Sequence, residues 1–518
     1  MQSSGDMKEK GDFLDNESCE GKGGGSHSKA PSGLVGNKAP IIVEVMEEVT
    51  ENVNLTYEGD ISNEDNGAQN DIIPFNGLSP ISAVTMGFQH INLKRPAAKQ
   101  TNCSPPISLA HCTMPSCYRR RTALSPVFPF LGNIPRSVEN LTMLEMLDLS
   151  DNNLEGNIPQ TIGYLTNLKI IYLGANKLSG EIPRNIGKLT KLHELDLSAN
   201  NIEGNIPRSF ENLTMLEELD FFQNNMEGTI PAEIGNLYRL ERLALGNNKL
   251  RGSIPLEILK ISTLRVLALQ NNSLSGNIPR NVENLTMLEM LDHYDNNLEG
   301  NIPQTIGYLT NLKIIYLGAN KLSGKIPRNI GKLTKLQELD LSANNIEGDI
   351  PEGIGKLDML QELYLDYNNL QGDIPEGIGK LDMLQELYLD YNNLQGGVHL
   401  HLLSWKNMRF IDLSFNLLQG EITSSVCNAS SLESLNFSHN NFSGTIPQCI
   451  GSSSLASLYV LDLQNNSFHG TILETFEEGN KLKTLNLNDN VLYGLLPQFL
   501  VRCTNIEVLD LGRKWYSR

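Results

Sequence analysis

The feature that most constrains this chain is a glycine that recurs at a nearly constant interval. Fifteen intervals separate its sixteen copies; fourteen are 24 residues long and one is 26. A period this short means that each repeat is one small unit that buries its apolar face only against its neighbours. The sequence therefore predicts a stack of about sixteen coils. The recurring glycines are residues 132, 156, 180, 204, 228, 252, 276, 300, 324, 348, 372, 396, 420, 444, 470 and 494.

Each repeat follows the pattern L-x-x-L-x-x-L-x-L-x-x-N-x-L-x-G-x-I-P, as in residues 189–207. Its L-x-L core has period two, so Leu195 and Leu197 point inward while Asp196 and Ser198 face out. This predicts one short strand per coil, and sixteen strands in one concave parallel sheet. The Gly-x-Ile-Pro segment is expected to begin a convex-side extended segment, and a short helical or 3₁₀ turn follows it.

These elements predict an α/β solenoid of leucine-rich-repeat type. We expect a right-handed superhelix with a concave parallel sheet and a convex side made mostly of 3₁₀ turns and short strands.

An asparagine recurs just after fifteen of the sixteen predicted strands, and Lys514 takes its place after the last. Its side-chain amide has two donors and an acceptor, enough to bond the backbones of adjacent turns. If these groups were buried and unsatisfied, each would cost about 1–3 kcal/mol. A continuous asparagine ladder is therefore predicted at Asn152, Asn176, Asn200, Asn224, Asn248, Asn272, Asn296, Asn320, Asn344, Asn368, Asn392, Asn416, Asn440, Asn466 and Asn490.

The repeat begins near residue 125, which predicts a non-repeat segment at 1–124 and a solenoid at 125–518. Residues 44–71 are acidic, and residues 94–121 are basic and proline-rich. Such compositions bury too little apolar surface to offset chain entropy, so most of residues 1–124 is predicted to be disordered. The spacing of Cys103, Cys112 and Cys117 with His111 fits no common zinc finger, and we expect no metal or cofactor.

Composition narrows the range of functions. The formal net charge is −19, which argues against a nucleic-acid partner because phosphate binding needs clustered Lys and Arg. No window approaches 18 apolar residues, so no membrane-spanning segment is expected, and the first thirty residues lack the apolar core of a signal peptide. No catalytic constellation or kinase motif is present, so we expect no enzyme. The recurring strand aspartates, such as Asp148 and Asp340, are interpreted as a solvated acidic stripe.

The sequence also contains a duplication of a unit longer than the 24-residue repeat. Residues 132–204 recur as 276–348 with only five differences, at positions 137, 149, 150, 181 and 193. One of them replaces Leu149, an inward strand position, by His293. A histidine there loses packing and needs a partner, and we interpret it as a tolerated local defect.

The most distinctive candidate surface comes from an exact duplication of residues 348–371 as 372–395. It places identical tyrosine and aspartate sets on adjacent strands of the concave side, a combination that suits a basic or polar peptide. The alternative is that an ordinary strand was copied and has no ligand. The candidate ligand-binding residues are Tyr364, Asp366, Tyr367, Tyr388, Asp390 and Tyr391.

Glycosylation motifs and cysteines complete the candidates. Motifs of the form E-N-L-T should lie on the convex side, whereas Asn436 takes a concave position, where a sugar would block the sheet. Cys427, Cys449 and Cys503 are predicted to be buried thiols rather than members of a disulfide. The candidate glycosylation sites are Asn140, Asn212, Asn271, Asn284, Asn428, Asn436, Asn441 and Asn465.

The L-x-G-x-I-P signature resembles that of plant extracellular leucine-rich repeats in receptor-like kinases, receptor-like proteins and polygalacturonase-inhibiting proteins. Residues 229–279 resemble the receptor-like kinase style, and residues 403–512 the receptor-like protein style. The resemblance implies an extracellular or plasma-membrane recognition module with a peptide or protein ligand and a possible co-receptor. The expected N-terminal cap and membrane helix are not recognisable, so a truncated or rearranged member is expected.

Two alternatives remain open. One is a secreted inhibitor of a cell-wall-degrading enzyme, which needs no membrane helix. The other is a non-functional gene fragment.

Overall fold

The structure is a computed structural model that describes residues 129–398, 406–472, 479–496, 498–501 and 503–512. The predictions of disorder in 1–124 and of no zinc finger at Cys103, Cys112 and Cys117 lie outside the described residues. The boundary near residue 125 stays a prediction.

A parallel sheet of sixteen strands, here called the main sheet, runs through the described chain with its strands in sequence order. Each strand contributes one L-x-L segment, and Leu363 pairs with Leu387 of the next coil, one full repeat later. The predicted sheet of sixteen short strands is therefore confirmed. The strands are Met146–Asp148, Ile170–Tyr172, Glu194–Asp196, Glu218–Asp220, Arg242–Ala244, Val266–Ala268, Met290–Asp292, Ile314–Tyr316, Glu338–Asp340, Glu362–Tyr364, Glu386–Tyr388, Phe410–Asp412, Ser434–Asn436, Val460–Asp462, Thr484–Asn486 and Val508–Asp510.

A second parallel sheet of twelve strands lies on the other side of each coil. All but the last of its strands contain the recurring glycine, as does Asn345–Asp349, which ends just before Ile350-Pro351. The Gly-x-Ile-Pro segment was expected to begin this element, and that detail is wrong, since the strand starts directly after the ladder asparagine. Gly348 has φ +79°, a conformation that favours glycine. The strands are Leu131–Asn133, Asn153–Asn157, Lys177–Glu181, Asn201–Gly204, Asn225–Gly228, Lys249–Ser253, Ser273–Asn277, Asn297–Asn301, Lys321–Gly324, Asn345–Asp349, Asn369–Asp373 and Asn393–Gln395.

Short 3₁₀ turns complete most coils, as predicted. Many follow the proline directly, because its fixed φ, −70° at Pro351, leads into the turn without requiring a backbone donor. The turns are Arg136–Asn140, Gln160–Tyr164, Arg184–Lys188, Arg208–Asn212, Ala232–Asn236, Leu256–Lys260, Val282–Asn284, Gln304–Tyr308, Arg328–Lys332, Glu352–Lys356, Glu376–Lys380, Ser424–Asn428, Ser453–Leu455 and Gln498–Val501.

The core is a continuous column of leucine and isoleucine held together by asparagine side chains. Asn368 is typical: its Nδ2 donates to the Leu341 carbonyl of the preceding coil at 2.9 Å, and its Oδ1 accepts the Ile346 amide at 2.9 Å. The same amide also donates to Leu365 within its own coil at 3.2 Å. Each such side chain satisfies buried backbone groups of two coils, which keeps the coils in register.

The second sheet changes character after Gln395, where Gly396-Gly397-Val398 replaces the usual Gly-x-Ile-Pro. Beyond this point the described residues on that side form two-stranded pairs and the isolated bridges Gly397–Gln419 and Thr445–His469, whereas the main sheet continues without a break. The pairs are Gln419–Glu421 with Asn441–Ser443, and His469–Thr471 with Val491–Tyr493.

The cysteine prediction is wrong for two of its three residues. Cys427 and Cys449 form a disulfide with their Cα atoms 5.9 Å apart. They are 22 residues apart in sequence, and successive coils stack these positions side by side, which brings the thiols within bonding reach. Cys503 is a buried free thiol, as predicted.

Candidate ligand-binding face

Three positions in each coil lie at the end of the main-sheet strand on its outer face. We call the last strand residue the strand-end position, the residue two further on the turn position, and the next one the left-handed position. Tyr388, Asp390 and Tyr391 occupy them in one coil. The left-handed position has φ near +50° in coil after coil, Tyr391 among them.

An aspartate at the strand-end position has a structural task. In the coil of Asp340, its Oδ1 accepts the backbone amide of Ser342 at 2.8 Å and the Ser342 hydroxyl at 2.6 Å. The same bond to the turn amide occurs at Asp196 and Asp412. Asp340 is only 1% exposed and Asp292 only 3%. The interpretation of these residues as a solvated stripe is therefore wrong, because several are buried and hold the turn that follows the strand.

The duplicated coils depart from this arrangement, since they carry tyrosine at the strand-end position. Tyr364 and Tyr388 stack with ring centroids 5.2 Å apart. The Tyr364 hydroxyl donates to Glu386 at 2.6 Å, and its oxygen also lies 3.1 Å from the Glu362 carboxylate. Tyr364 is 5% exposed, so most of its ring packs against neighbouring coils. Burial and the nearby carboxylates raise the pKa of Tyr364, which keeps its hydroxyl protonated as a donor.

The left-handed positions of four successive coils form an aromatic column. Tyr367 stacks on Tyr391 at 4.4 Å, Tyr391 on Phe415 at 4.2 Å, and Phe415 on His439 at 3.9 Å. Phe415 and His439 belong to this surface although neither was among the predicted site residues. The signal was present, because an aromatic or imidazole ring precedes the ladder asparagine in each of these coils.

The turn positions of the duplicated coils carry the two acids Asp366 and Asp390. Asp390 is 8% exposed, and burial raises its pKa well above the ordinary range, with Asp412 and Asp366 adding to the effect as like charges. Burial also raises the pKa of Asp412 to about 6, although Ser414 and Asn436 bond to its carboxylate. The structure thus brings the six predicted residues together, but Tyr364 and Asp390 present little surface.

Charge balance differs along the outer face. In the first half, Arg242 pairs with Asp220 at 3.2 Å, and Arg265 bridges Glu241 at 3.2 Å and Glu289 at 2.8 Å. In contrast, residues 337–343, 361–367 and 385–391 contain neither lysine nor arginine. The outer-face segments 361–367 and 385–391 of the duplicated coils are therefore acidic and aromatic and contain no basic residue.

The glycosylation motifs lie mainly at the surface. Asn436 differs, because its Nδ2 donates to Asp412 Oδ2 at 2.8 Å and its Oδ1 accepts from the Ser438 hydroxyl at 2.7 Å. Modification of these residues stays a prediction. Exposed side chains are found at Asn140, Asn212, Asn271, Asn284, Asn428, Asn441 and Asn465.

His293 lies on the inner side of the main sheet. It is 1% exposed, and its Nδ1 has no hydrogen-bond partner among the described residues. Desolvation lowers its pKa to about 4, so the ring is neutral near pH 7.

The described part of the chain contains no cluster of three or more histidine, cysteine, aspartate or glutamate side chains arranged to hold a metal ion. None of its helices has the length and apolar character needed to cross a membrane.

Comparison with known families identifies the repeats. A leucine-rich-repeat region model matches residues 130–227 and 316–445, and a Leucine Rich Repeat model matches residues 263–285 and 457–478. No curated protein sequence matches the chain.

Solved structures give a closer comparison. The plant peptide hormone receptor RGFR1 in complex with RGF2 is 33% identical with a TM-score of 0.62; the match covers 74% of this chain and 72% of that chain. The Arabidopsis receptor kinase HAESA, in complex with the peptide hormone IDA and the co-receptor SERK1, is 36% identical with a TM-score of 0.68, over 74% and 64% of the two chains. A TDR receptor is 32% identical with a TM-score of 0.66, over 73% and 70%.

This chain spans less than two-thirds of the HAESA chain but more than two-thirds of the RGFR1 and TDR chains. The repeat signature, the fold and these similarities agree, and the chain belongs to the plant leucine-rich-repeat receptor-like family.

Proposed function

We propose that this chain is a non-catalytic recognition module that binds a peptide or protein ligand on the outer face of the main sheet. Its place of action would be extracellular, at the plasma membrane. The proposal extends to this chain the peptide binding of RGFR1, which is a peptide hormone receptor in complex with RGF2, and of HAESA, which is in complex with the peptide hormone IDA.

The observation that carries the proposal is the row of aromatic side chains on one stretch of the outer face. Tyr367, Tyr391 and Phe415 stack in successive coils with ring centroids 4.2–4.4 Å apart. Each of these residues is partly exposed. Rigid aromatic side chains lose little conformational entropy on binding and offer large contact areas, which is why they are enriched in recognition surfaces.

In addition to the ligand, we propose a second receptor chain as a partner of this protein. The HAESA structure contains the co-receptor SERK1 together with the peptide. In this chain the co-receptor would join after the peptide has bound.

The proposal is tested by binding of synthetic peptides to the purified full chain. The panel includes RGF2, IDA and AtPEP1 together with other secreted plant peptides, and binding is measured by calorimetry. The test variant is Tyr367→Asn with Tyr391→Asn. Asparagine already occupies the left-handed position at Asn247 and Asn271, so the backbone should tolerate it. The matched control is Asp151→Asn, at the same position in the first coil.

We expect at least one peptide to bind the wild-type chain and the control equally, and the double variant about tenfold or more weakly. If no peptide in a broad panel binds, or if the double variant binds as tightly as the wild type, peptide recognition at this face is wrong. Inhibition of a polygalacturonase by the chain would favour the alternative function instead.

A further inference from the structure

The aromatic column begins at Tyr367, and its first ring differs from the rings that follow. The rings lie nearly parallel, with planes 12–13° apart and centroids 3.9–4.4 Å apart. In Tyr391, Phe415 and His439, the face that points toward the preceding coil is covered by the ring of that coil. Among the described residues, Tyr367 stacks on Tyr391 alone, so its own face toward the preceding coil has no ring against it.

The residues beside this face are small. Ala343 and Ala319 occupy the left-handed positions of the two coils before Tyr367, and both are partly exposed. An alanine side chain ends at Cβ, so neither residue can cover an aromatic ring as Tyr367 covers Tyr391. In the described part of the chain, the left-handed position of Ala343 therefore lacks the flat group that the next four coils all carry there.

The column itself shows which kind of group completes this position. Three successive faces are covered by a flat ring one coil away, and the covering rings are phenol, phenol and phenyl. Neighbouring strands of a sheet lie about 4.8 Å apart, so a ring held over Ala343 comes within stacking distance of Tyr367. Offset-stacked aromatic pairs are more favourable than their buried area alone predicts, which favours an aromatic ring over an aliphatic side chain of similar size.

The first copy of the long duplication has the same small residues without the ring. Ala175 and Ala199 take the equivalent left-handed positions, with φ +53° and +50°. The next left-handed position carries Gln223, which has no aromatic face. The chain thus contains two matched pairs of alanines on its outer face, and only the pair beside Tyr367 offers a surface for stacking.

We propose that an aromatic side chain of the peptide ligand lies over Ala343 and stacks on Tyr367, so that the ligand adds one ring to the column. The inference rests on the proposed function, because it names the class of side chain that this face selects. Tyr367 contacts the ligand ring, and the small side chains of Ala343 and Ala319 admit it. The peptide carries phenylalanine, tyrosine or tryptophan at the position that reaches this coil.

The first test is a selection from a random peptide library displayed on phage, with the purified full chain as the target. We expect the three aromatic residues together to be enriched about tenfold at one position of the selected peptides. Selected peptides without any aromatic preference would overturn the stacking site and leave peptide recognition intact. Equal enrichment of proline, arginine or leucine at that position would overturn the assignment to an aromatic ring. If the wild type selects no peptide, the proposed function fails and the stacking site falls with it.

A selected peptide then locates the contact on the chain. Its aromatic residue is replaced by alanine, and calorimetry measures binding of both peptides to the wild type, Ala343→Tyr and Ala199→Tyr. Ala343→Tyr places a ring of the chain in the space proposed for the ligand, and Ala199→Tyr makes the same change in the first copy. The left-handed position accepts tyrosine, since φ is +50° at both Tyr367 and Tyr391 and +49° at Ala343.

We expect the alanine peptide to bind the wild type and Ala199→Tyr about tenfold more weakly than the aromatic peptide. Ala343→Tyr should bind both peptides equally weakly, because its own ring occupies the site and the remaining contacts hold the peptide in place. An equal difference between the peptides on all three chains would place the ligand ring elsewhere and overturn the site. Loss of the difference in Ala199→Tyr as well would overturn it too.

A second variant, Tyr367→Asn, removes the stacking surface and leaves the space above Ala343 open. Asparagine already occupies the left-handed position at Asn247, so the backbone tolerates it. Circular dichroism and thermal unfolding show whether each variant is folded, and Tyr367→Asn takes the place of Ala343→Tyr if the latter is not. We expect Tyr367→Asn to bind the two peptides equally, and a full tenfold difference between them would contradict stacking on Tyr367.

Discussion

Residues 132–204 and 276–348 are nearly the same sequence at two places in one stack, and the two copies differ in burial. The backbone repeats closely: Asn176 and Asn320 make the same ladder bonds to their own and preceding coils. However, Asp196 is partly exposed in the first copy, whereas its counterpart Asp340 is buried.

Two neighbours distinguish the second copy from the first. Asp196 pairs across the sheet with Asp220, whereas Asp340 pairs with the large ring of Tyr364. Tyr294 also stands where the first copy has Ser150, and it lies close enough to Asp340 for the aspartate charge to raise the pKa of the tyrosine. The repeat therefore determines the course of the backbone, and side chains of nearby coils determine the environment of each outer-face side chain.

The largest change in stability is expected at the one inward-facing position where the two copies differ, which is Leu149 in the first copy and His293 in the second. We expect His293→Leu to stabilise its coil by about 2–3 kcal/mol, because leucine restores packing and removes a buried ring nitrogen without a partner. Leu149→His should cost less than that, since Leu149 is only partly buried. Urea unfolding and hydrogen exchange of strands Met290–Asp292 and Met146–Asp148 measure both changes. No stabilisation by leucine would mean that His293 has a partner in solution.

The two copies should also respond differently to acid. The pKa of His293 is about 4 in the folded chain against an ordinary value of 6.5, so the unfolded state binds more protons between these values. Stability of this coil is therefore lost as the pH falls below 6.5, by about 2 kcal/mol at pH 5. Hydrogen exchange at pH 7 and pH 5 should show reduced protection of Met290–Asp292 but not of Met146–Asp148.

The control for this prediction is His293→Leu, which should abolish the difference. Asp412 and Asp462, whose pKa values are raised to about 6, act in the opposite direction, because acid relieves their buried charge. Hydrogen exchange is therefore compared only in strands Met290–Asp292 and Met146–Asp148, and not as the stability of the whole chain. Equal acid sensitivity of the two copies would contradict the assignment to His293.

A matched pair of tyrosines tests the effect of burial alone. The Tyr172 hydroxyl donates to Glu194, and the Tyr316 hydroxyl donates to Glu338, in equivalent places. Tyr316 is buried and Tyr172 is partly exposed. We expect Tyr316→Phe to cost about 1–2 kcal/mol and Tyr172→Phe less than about 1 kcal/mol, because water replaces the lost bond more readily at the exposed site. Urea unfolding measures both, and equal costs would show that the neighbouring coil does not control these bonds.

The smallest effect is expected where the copies are alike. Asn140 and Asn284 are exposed at the ends of equivalent 3₁₀ turns. Asn140→Gln and Asn284→Gln should each change stability by less than about 0.5 kcal/mol. If the chain is produced through a secretory pathway, mass spectrometry should find glycans at both sites or at neither. A glycan at one site alone would show that the enzyme that attaches it distinguishes the two sites.

The periodic part of the fold could be predicted from sequence because one short pattern specifies it many times. Each element has its own physical basis: the L-x-L segments bury alternate side chains, the ladder asparagines bond the backbones of adjacent coils, and the prolines fix φ at the start of the 3₁₀ turns. The candidate face was also predictable in part, since Tyr367 and Tyr391 follow from the repeat frame.

What could not be predicted depends on contacts between coils. Cys427 and Cys449 stand at different offsets in their repeats, so their proximity appears only once the coils are stacked. Asp340 is buried beside Tyr364, one coil after it, and near Tyr294, two coils before it. Phe415 and His439 extend the aromatic column beyond the exact duplication, and no single repeat reveals that they stack.

The asparagine ladder has a further consequence for how such a chain changes over time. The ladder bonds join the same atoms in each pair of successive coils, as at Asn368 and Asn392. Any coil that carries the asparagine can therefore continue the ladder of any other such coil. Unequal recombination between two repeats of the gene then inserts or deletes whole coils and preserves both the reading frame and the hydrogen bonds. The chain can lengthen or shorten its recognition face by such events without passing through an unfolded product, and the identical copies at 348–371 and 372–395 have the form that such an event leaves.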